Sequence, residues 1–236
     1  MQPYDPLLAQ QDADQKRKHC GRKTILDERL KQLIENHLRL TWSPETIATK
    51  FKLATASIYN WLNQGKLDFK LQDLPDRNRR RQHSQEKRGQ YQTGTSIEQR
   101  PAMVNQRAEF GHWEVDTVLS SRGQSKACLV TFVERSSRLL WALKAPDRTV
   151  QSLNQVFGSF MQRFGLTTYF CHPYSPWERG SNEYFNRKLR WFFPKKTDFN
   201  QVTADQVLAT IELINNRPLK LHNYRTAIEV FRACSD

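Results

Sequence analysis

Phe110-Gly111-His112-Trp113-Glu114-Val115-Asp116-Thr117-Val118-Leu119 is the stretch on which the fold turns. Trp113, Val115, Thr117 and Leu119 alternate with His112, Glu114, Asp116 and Val118, the two-residue period of a strand. Past a turn over 120–125 that contains Gly123, Ala127-Cys128-Leu129-Val130-Thr131-Phe132-Val133 is a nearly continuous apolar run. Such a run suits a central strand covered on both faces. Leu139-Leu140-Trp141-Ala142-Leu143 supplies a third strand, with Val130 the expected cross-strand neighbour of Asp116. Val150, Leu153, Phe157, Phe160, Met161 and Phe164 then keep a helical stripe, and Gly165 stands where a C-cap belongs. Thr167-Thr168-Tyr169-Phe170 predicts one more short strand. Ser175-Pro176-Trp177-Glu178 and Thr203-Ala204-Asp205-Gln206 both have the spacing of a capping box opening a helix. Strands followed by helices make residues 110–236 an α/β domain, and the chain α+β as a whole.

Working outward, residues 24–63 read as helical. Leu26, Leu30, Leu33, Ile34 and Leu38 recur at helical spacing. Ser43 is placed as an N-cap with Pro44 at the first helical position. Ile47, Phe51, Leu53, Ile58, Trp61 and Leu62 can pack two short helices across a turn at 53–55, the second capped by Thr55 or Ser57. This is the pattern of a helix-turn-helix, whose second helix enters a major groove. Ser57, Tyr59 and Asn60 are the candidate DNA contacts on it; a plain helical hairpin is the alternative. Residues 71–109 read as a basic linker, in which Arg77, Arg79, Arg80 and Arg81 are candidate phosphate contacts and Gly89 and Gly94 interrupt any period. The expected division is a helical part over 1–70, the linker over 71–109 and the α/β domain over 110–236.

Charge agrees with a nucleic-acid partner. Lys and Arg number 37 against 24 Asp and Glu, a formal net charge of +13. Cations in that excess favour a polyanion, because neutralised phosphates release their condensed counterions. No apolar run reaches the length of a membrane span. Cys20, Cys128, Cys171 and Cys234 stand far apart without a C-x-x-C pair, which argues for a reduced cytoplasmic setting and against a structural zinc site.

Two carboxylates are candidates for chemistry. Asp116 lies mid-strand; Glu183 lies on a helix with Arg179, Asn182, Asn186 and Arg187, which are candidate DNA contacts. Phosphodiester cleavage and transfer by two metal ions needs several carboxylates converging on ions about 4 Å apart. By residue type alone, an i,i+4 ion pair for Glu183 and a solvated strand carboxylate for Asp116 are the better account.

The motifs carry a resemblance. Gly111-His112-Trp113-Glu114-Val115-Asp116, with Ser96-Ile97-Glu98-Gln99-Arg100-Pro101 and Arg107 before it, resembles the first catalytic strand of the insertion-sequence thirty (IS-thirty) family of DDE transposases. His172-Pro173-Tyr174-Ser175-Pro176-Trp177-Glu178-Arg179-Gly180-Ser181-Asn182-Glu183, then Asn186 and Phe193-Pro194-Lys195, resembles that family's last catalytic helix. Asn215-Asn216-Arg217-Pro218, Thr226 and Phe231 resemble its C-terminal tail. The resemblance implies an RNase H-like mixed sheet with flanking helices, Asp116 and Glu183 as the first and last acidic metal ligands, Mg²⁺ or Mn²⁺ as cofactor, and the double-stranded ends of a bacterial insertion sequence as partner. It also implies a nucleoid setting and assembly with a second copy or with full-length transposase.

Two departures set the expectation for activity. The family's middle Asp, in a segment of the type T-x-D-x-G-x-E-F, has no counterpart between Asp116 and Glu183. Asp147 is expected roughly 10 Å from Asp116 and Glu134 roughly 13 Å along the neighbouring strand, so neither substitutes. The gap reads as a deletion with its junction inside 157–164, after which strand 167–170 is expected to slide in beside the first strand. The region 4–23 resembles one that follows an N-terminal helix-turn-helix in the family, so that module is expected to be absent. The sequence therefore predicts a transposase defective in catalysis or a non-catalytic DNA-binding remnant, either inert or able to interfere with the full-length enzyme. An ordinary transcription factor built on residues 43–62 is the third reading.

Overall fold

β1 (Trp113–Leu119), β2 (Cys128–Glu134) and β3 (Leu140–Ala145) form an antiparallel meander in the order β1-β2-β3. This computed structural model describes residues 5–19, 24–75, 94–121, 123, 125–164, 167–172 and 175–235. Every residue of β2 is buried, which is why its sequence shows no polar alternation. Val130, Phe132 and Cys128 face α6 (Val150–Phe164), where Phe132 stacks on Phe160 with ring centroids 4.0 Å apart. Leu129 and Val133 face the other way, onto Phe185 and Leu189 of α7 (Gly180–Phe192) and Val207, Ile211 and Ile214 of α8 (Ala204–Asn215). The domain is thus a three-layer α/β/α stack, and the chain is α+β.

The register decides what reaches the functional face. Asp116 pairs with Thr131, Val118 with Leu129 and Glu114 with Val133. The expected partner of Asp116, Val130, is off by one. Because side chains alternate across a sheet, that single step matters: Val130 faces α6, whereas Thr131 shares the α7 face with Asp116.

By internal contacts the chain divides into two units, Met1–Ile34 and Glu35–Asp236. The first contains α1 (Pro6–His19), where Asp5 Oδ1 accepts the Leu7 N–H at 2.8 Å, and the start of α2 (Glu28–Arg39). The second contains α3 (Pro44–Lys50) and α4 (Thr55–Asn63) together with the sheet domain. Ser43 caps α3 as expected, its hydroxyl accepting the Thr46 N–H at 3.1 Å, with Pro44 first in the helix. The cap of α4 is instead Ala54, which makes no side-chain cap bond. The helix pair is docked on the sheet domain. Trp191 Nε1 donates to the Arg39 carbonyl at 2.9 Å, and Arg217 Nη1 to the Thr41 carbonyl at 3.1 Å.

Residues 94–109 are not plain linker. They hold a 3₁₀ turn at Ile97–Gln99 and the one-turn helix α5 (Met103–Gln106). Strand 167–170 does not slide in beside β1. Phe170 makes an isolated parallel bridge with Ser96, its N–H donating to the Thr95 carbonyl at 2.8 Å and its carbonyl accepting the Ile97 N–H at 2.9 Å. Gly94, at φ +82°, admits the Phe170 ring; a Cβ there would lie 2.4 Å from it. Among the described residues the sheet is therefore purely antiparallel rather than mixed.

The two expected capping boxes part ways. Thr203 and Gln206 form theirs in full at the start of α8. Ser175 makes no cap bond, and Pro176–Arg179 is a 3₁₀ turn leading into α7, because Glu178 is engaged elsewhere. Beyond α8 come the short hairpin β4 (Pro218–Leu219) and β5 (Arg225–Thr226) and then α9 (Ala227–Ser235).

Candidate functional site

α7 lies across the face of β1 and β2 that carries Asp116. One oxygen of Asp116 accepts from Arg179 Nη1 at 2.7 Å and the other from Asn186 Nδ2 at 3.0 Å. Both side chains of the ion pair are about one-third exposed, so solvent screens it to about 1 kcal/mol or less. Beneath it, the fully buried Thr131 hydroxyl lies 3.2 Å from the Asp116 carbonyl, 3.2 Å from Asn182 Oδ1 and 3.0 Å from Asn186 Oδ1. One hydroxyl proton serves one oxygen at a time, so Thr131 pins whichever amide turns its oxygen inward. Glu183 stands exposed on α7.

Two residues before Asp116 sits a carboxylate that sequence reasoning passed over. Glu114 is 4% exposed and receives four hydrogen bonds. Arg135 Nη1 donates at 2.5 Å, the Ser181 N–H at 2.8 Å, the Ser181 hydroxyl at 3.0 Å and the Asn182 N–H at 3.1 Å. Two of these donors are amides of the first turn of α7, which have no partner inside their own helix, and a negative charge there also meets the positive end of the helix dipole. Arg135 is 5% exposed; burial lowers its pKa and Glu114 raises it again. The readable signal was Arg135 placed at the end of a nearly continuous apolar strand, a cation that must find an acid if the strand is buried.

The other carboxylates between Asp116 and Glu183 are committed as well. Glu134 is fully buried and accepts the Ser137 N–H and hydroxyl at 2.6 Å each and the Gly111 N–H at 3.1 Å. Asp147 accepts the Thr149 N–H at 2.9 Å and hydroxyl at 2.6 Å. Hydrogen bonds from Ser152 and Thr149 hold its pKa down to about 2. Among the described residues no three His, Cys, Asp or Glu side chains gather so as to hold a metal ion. Asp116 thus carries a guanidinium on one oxygen and an amide on the other.

The sequence-predicted DNA contacts fall into three groups. On α4, Tyr59 and Asn60 are exposed and Ser57 is half-buried. On and before α7, Arg187 is exposed, its guanidinium 5.8 Å from the Tyr184 ring, whereas Arg179 and Asn186 hold Asp116 and Asn182 is fully buried against Thr131. Arg77, Arg79, Arg80 and Arg81 lie outside the described residues, as do Cys20 and Gly165.

Glu178 closes the loop ahead of α7. Its oxygens take the His172 N–H and Nδ1 at 2.7 Å each, while Glu98 Oε1 lies 3.6 Å from His172 Nε2. The Glu178 hydrogen bond raises His172 above its ordinary 6.5, although desolvation opposes the rise. Burial raises the Glu178 pKa, but the His172 bonds prevail and bring it below 4.5. A raised histidine stabilises the fold below 6.5 and loses that contribution as pH climbs through its folded value. A depressed carboxylate stabilises above 4.5 and loses its part as pH falls through its own. The clasp is therefore strongest between about pH 4.5 and 6.5. An NMR titration is expected to place the His172 midpoint above 6.5, and Glu178→Gln to bring it down.

Comparison with known proteins adds lineage to this geometry. The chain is 33% identical over 199 residues to the Streptococcus salivarius protein named "Probable transposase for insertion-like sequence element IS1161", covering 75% of this chain and 58% of that one. It is 28% identical over 265 residues to the transposase for insertion sequence element IS4351 of Bacteroides fragilis, covering 97% and 81%. It is 29% identical over 255 residues to transposase InsI for insertion sequence element IS30C of Escherichia coli K12, covering 87% and 66%. The chain is a relative of the insertion-sequence transposases. No family model matches it. The IS-thirty resemblance drawn from the motifs thus agrees with relatives that share most of the chain, one of which bears that element's name. The chain spans little more than half of the Streptococcus transposase. The Bacteroides match runs over 265 positions against 236 residues here, so that transposase has residues with no counterpart in this chain.

Proposed function

We propose that this chain binds duplex DNA as a member of the insertion-sequence transposase lineage and does not itself carry out metal-dependent cleavage and strand transfer. The observation that carries the reading is Asp116: both of its oxygens are held, by Arg179 and Asn186, and among the described residues no group of acids converges on it. The excess of 37 basic over 24 acidic residues supports a polyphosphate partner. The Bacteroides alignment, longer than the chain itself, is consistent with residues of that transposase lacking a counterpart here.

Binding would begin with the arginines of the 77–81 run on phosphates and with Tyr59 and Asn60 of α4 on the groove. Each phosphate contact contributes about 0.9 to the slope of log affinity against log salt. Four such contacts predict a loss of roughly two orders of magnitude in duplex affinity between about 50 and 200 mM salt. Fluorescence anisotropy with labelled duplex tests this, and replacing Arg77, Arg79, Arg80 and Arg81 by Gln should flatten the slope by about 3–4. A salt-independent affinity, or no binding to duplex at all, contradicts the reading.

A further inference from the structure

At the start of α7, beside Gly180 and Ser181, an open cavity of about 510 Å³ is lined by cations and apolar side chains together. Arg107, Arg138 and Lys220 supply the charge; Leu219, Leu221 and the Tyr184 ring supply the apolar wall. Among the described residues no carboxylate lines it. The Lys220 ammonium is paired with Glu45 at 2.7 Å, and Glu114, which bonds Ser181, already accepts from four donors.

Two of these cations sit on strained backbone. Arg107 and Arg138 both have left-handed backbone, at φ +57° and +66°, a conformation that non-glycine residues adopt rarely and that persists only where the surroundings enforce it. Arg138 donates to the Ser181 hydroxyl at 2.6 Å. Burial, and next the charge of Arg107, lower its pKa to about 10. Two arginines lining one cavity favour an anion there, since guanidiniums form charge-assisted hydrogen bonds to phosphate.

The volume falls in the range of cavities that take a small ligand, and it is too narrow for a double helix. From the cations on one wall and the leucines on the other, we infer that this cavity receives one unpaired nucleotide of a DNA strand. The phosphate lies against Arg107 and Arg138, and the base packs on Leu219, Leu221 and Tyr184. The inference rests on the proposed DNA binding and gives it a strand-end specificity. An unpaired nucleotide can place both its charge and its flat apolar face in the cavity, whereas a nucleotide within a duplex has its base stacked and paired.

The test compares two labelled duplexes by anisotropy with the full chain at physiological salt: one blunt, one carrying a short single-stranded overhang. The overhang should bind roughly tenfold tighter, the worth of one buried base. Leu221→Asp and, separately, Arg107→Ala should abolish the preference and leave affinity for the blunt duplex unchanged. Leu221 is 65% exposed, so its substitution does not threaten the fold. Equal, tight binding of both duplexes by the native chain overturns the cavity assignment and leaves DNA binding standing, as does a preference that survives both substitutions. Failure to bind either duplex overturns both.

Discussion

Replacing Glu114 by alanine is expected to destabilise the domain by about 3–5 kcal/mol, the cost of breaking a buried ion pair from one side. The physical reason is what remains behind. Arg135 would stay 95% buried without its counter-charge, and the Ser181 and Asn182 amides at the start of α7 would lose their acceptor. For a chain of this size the loss corresponds to a melting temperature lower by roughly 10 °C. Glu114→Gln separates charge from shape. Its amide oxygen can still accept from α7, but its NH₂ can offer Arg135 only another donor, so most of the loss should persist. Thermal denaturation followed by circular dichroism measures both; a change under about 1 kcal/mol in the alanine variant would mean that the cluster is solvated in solution.

Asn215→Ala should cost about 2–5 kcal/mol, since it strips hydrogen bonds from two buried backbone groups at once. Asn215 Oδ1 accepts the Leu140 N–H at 2.9 Å, and its Nδ2 donates to the Leu140 carbonyl at 2.8 Å. A strand next to β3 would make this same pair of bonds, so one amide side chain on α8 closes the sheet edge there. Leu140 is fully buried and Asn215 is 4% exposed, so water cannot easily replace the lost partner. Urea denaturation gives the change directly, and Asn215→Asp should retain half of the pairing while setting a carboxylate against a carbonyl. An alanine variant as stable as the native chain would contradict this account of the edge.

The three strands were legible in the sequence to within one or two residues, because burial on one face or both writes itself into the pattern. β1 alternates and β2 does not, and the cores on either side of the sheet explain each. Ser43 and Thr203 were legible because a cap is a local event. What the sequence hid was decided at a distance. Glu178 has the spacing of a capping residue, yet it bonds His172, since a nearby imidazole and amide outcompete the helix end. Phe170 finds Ser96, which lies in a stretch with no period of its own. Asp116 was recognisable as a candidate from its motif, but its neighbours Arg179 and Asn186 were expected on DNA rather than on the carboxylate itself. Glu114, two positions before Asp116 and on the same face, was missed because an acid in an alternating strand reads as solvated until its buried arginine is seen.

The central claim is that the acidic groups present cannot together hold a catalytic metal pair. A nicking and strand-transfer assay on repeat-ended DNA, with Mg²⁺ or Mn²⁺, tests it most directly. The account predicts no product above that of an Asp116→Ala control; product formed by the native chain and lost in that control would contradict it.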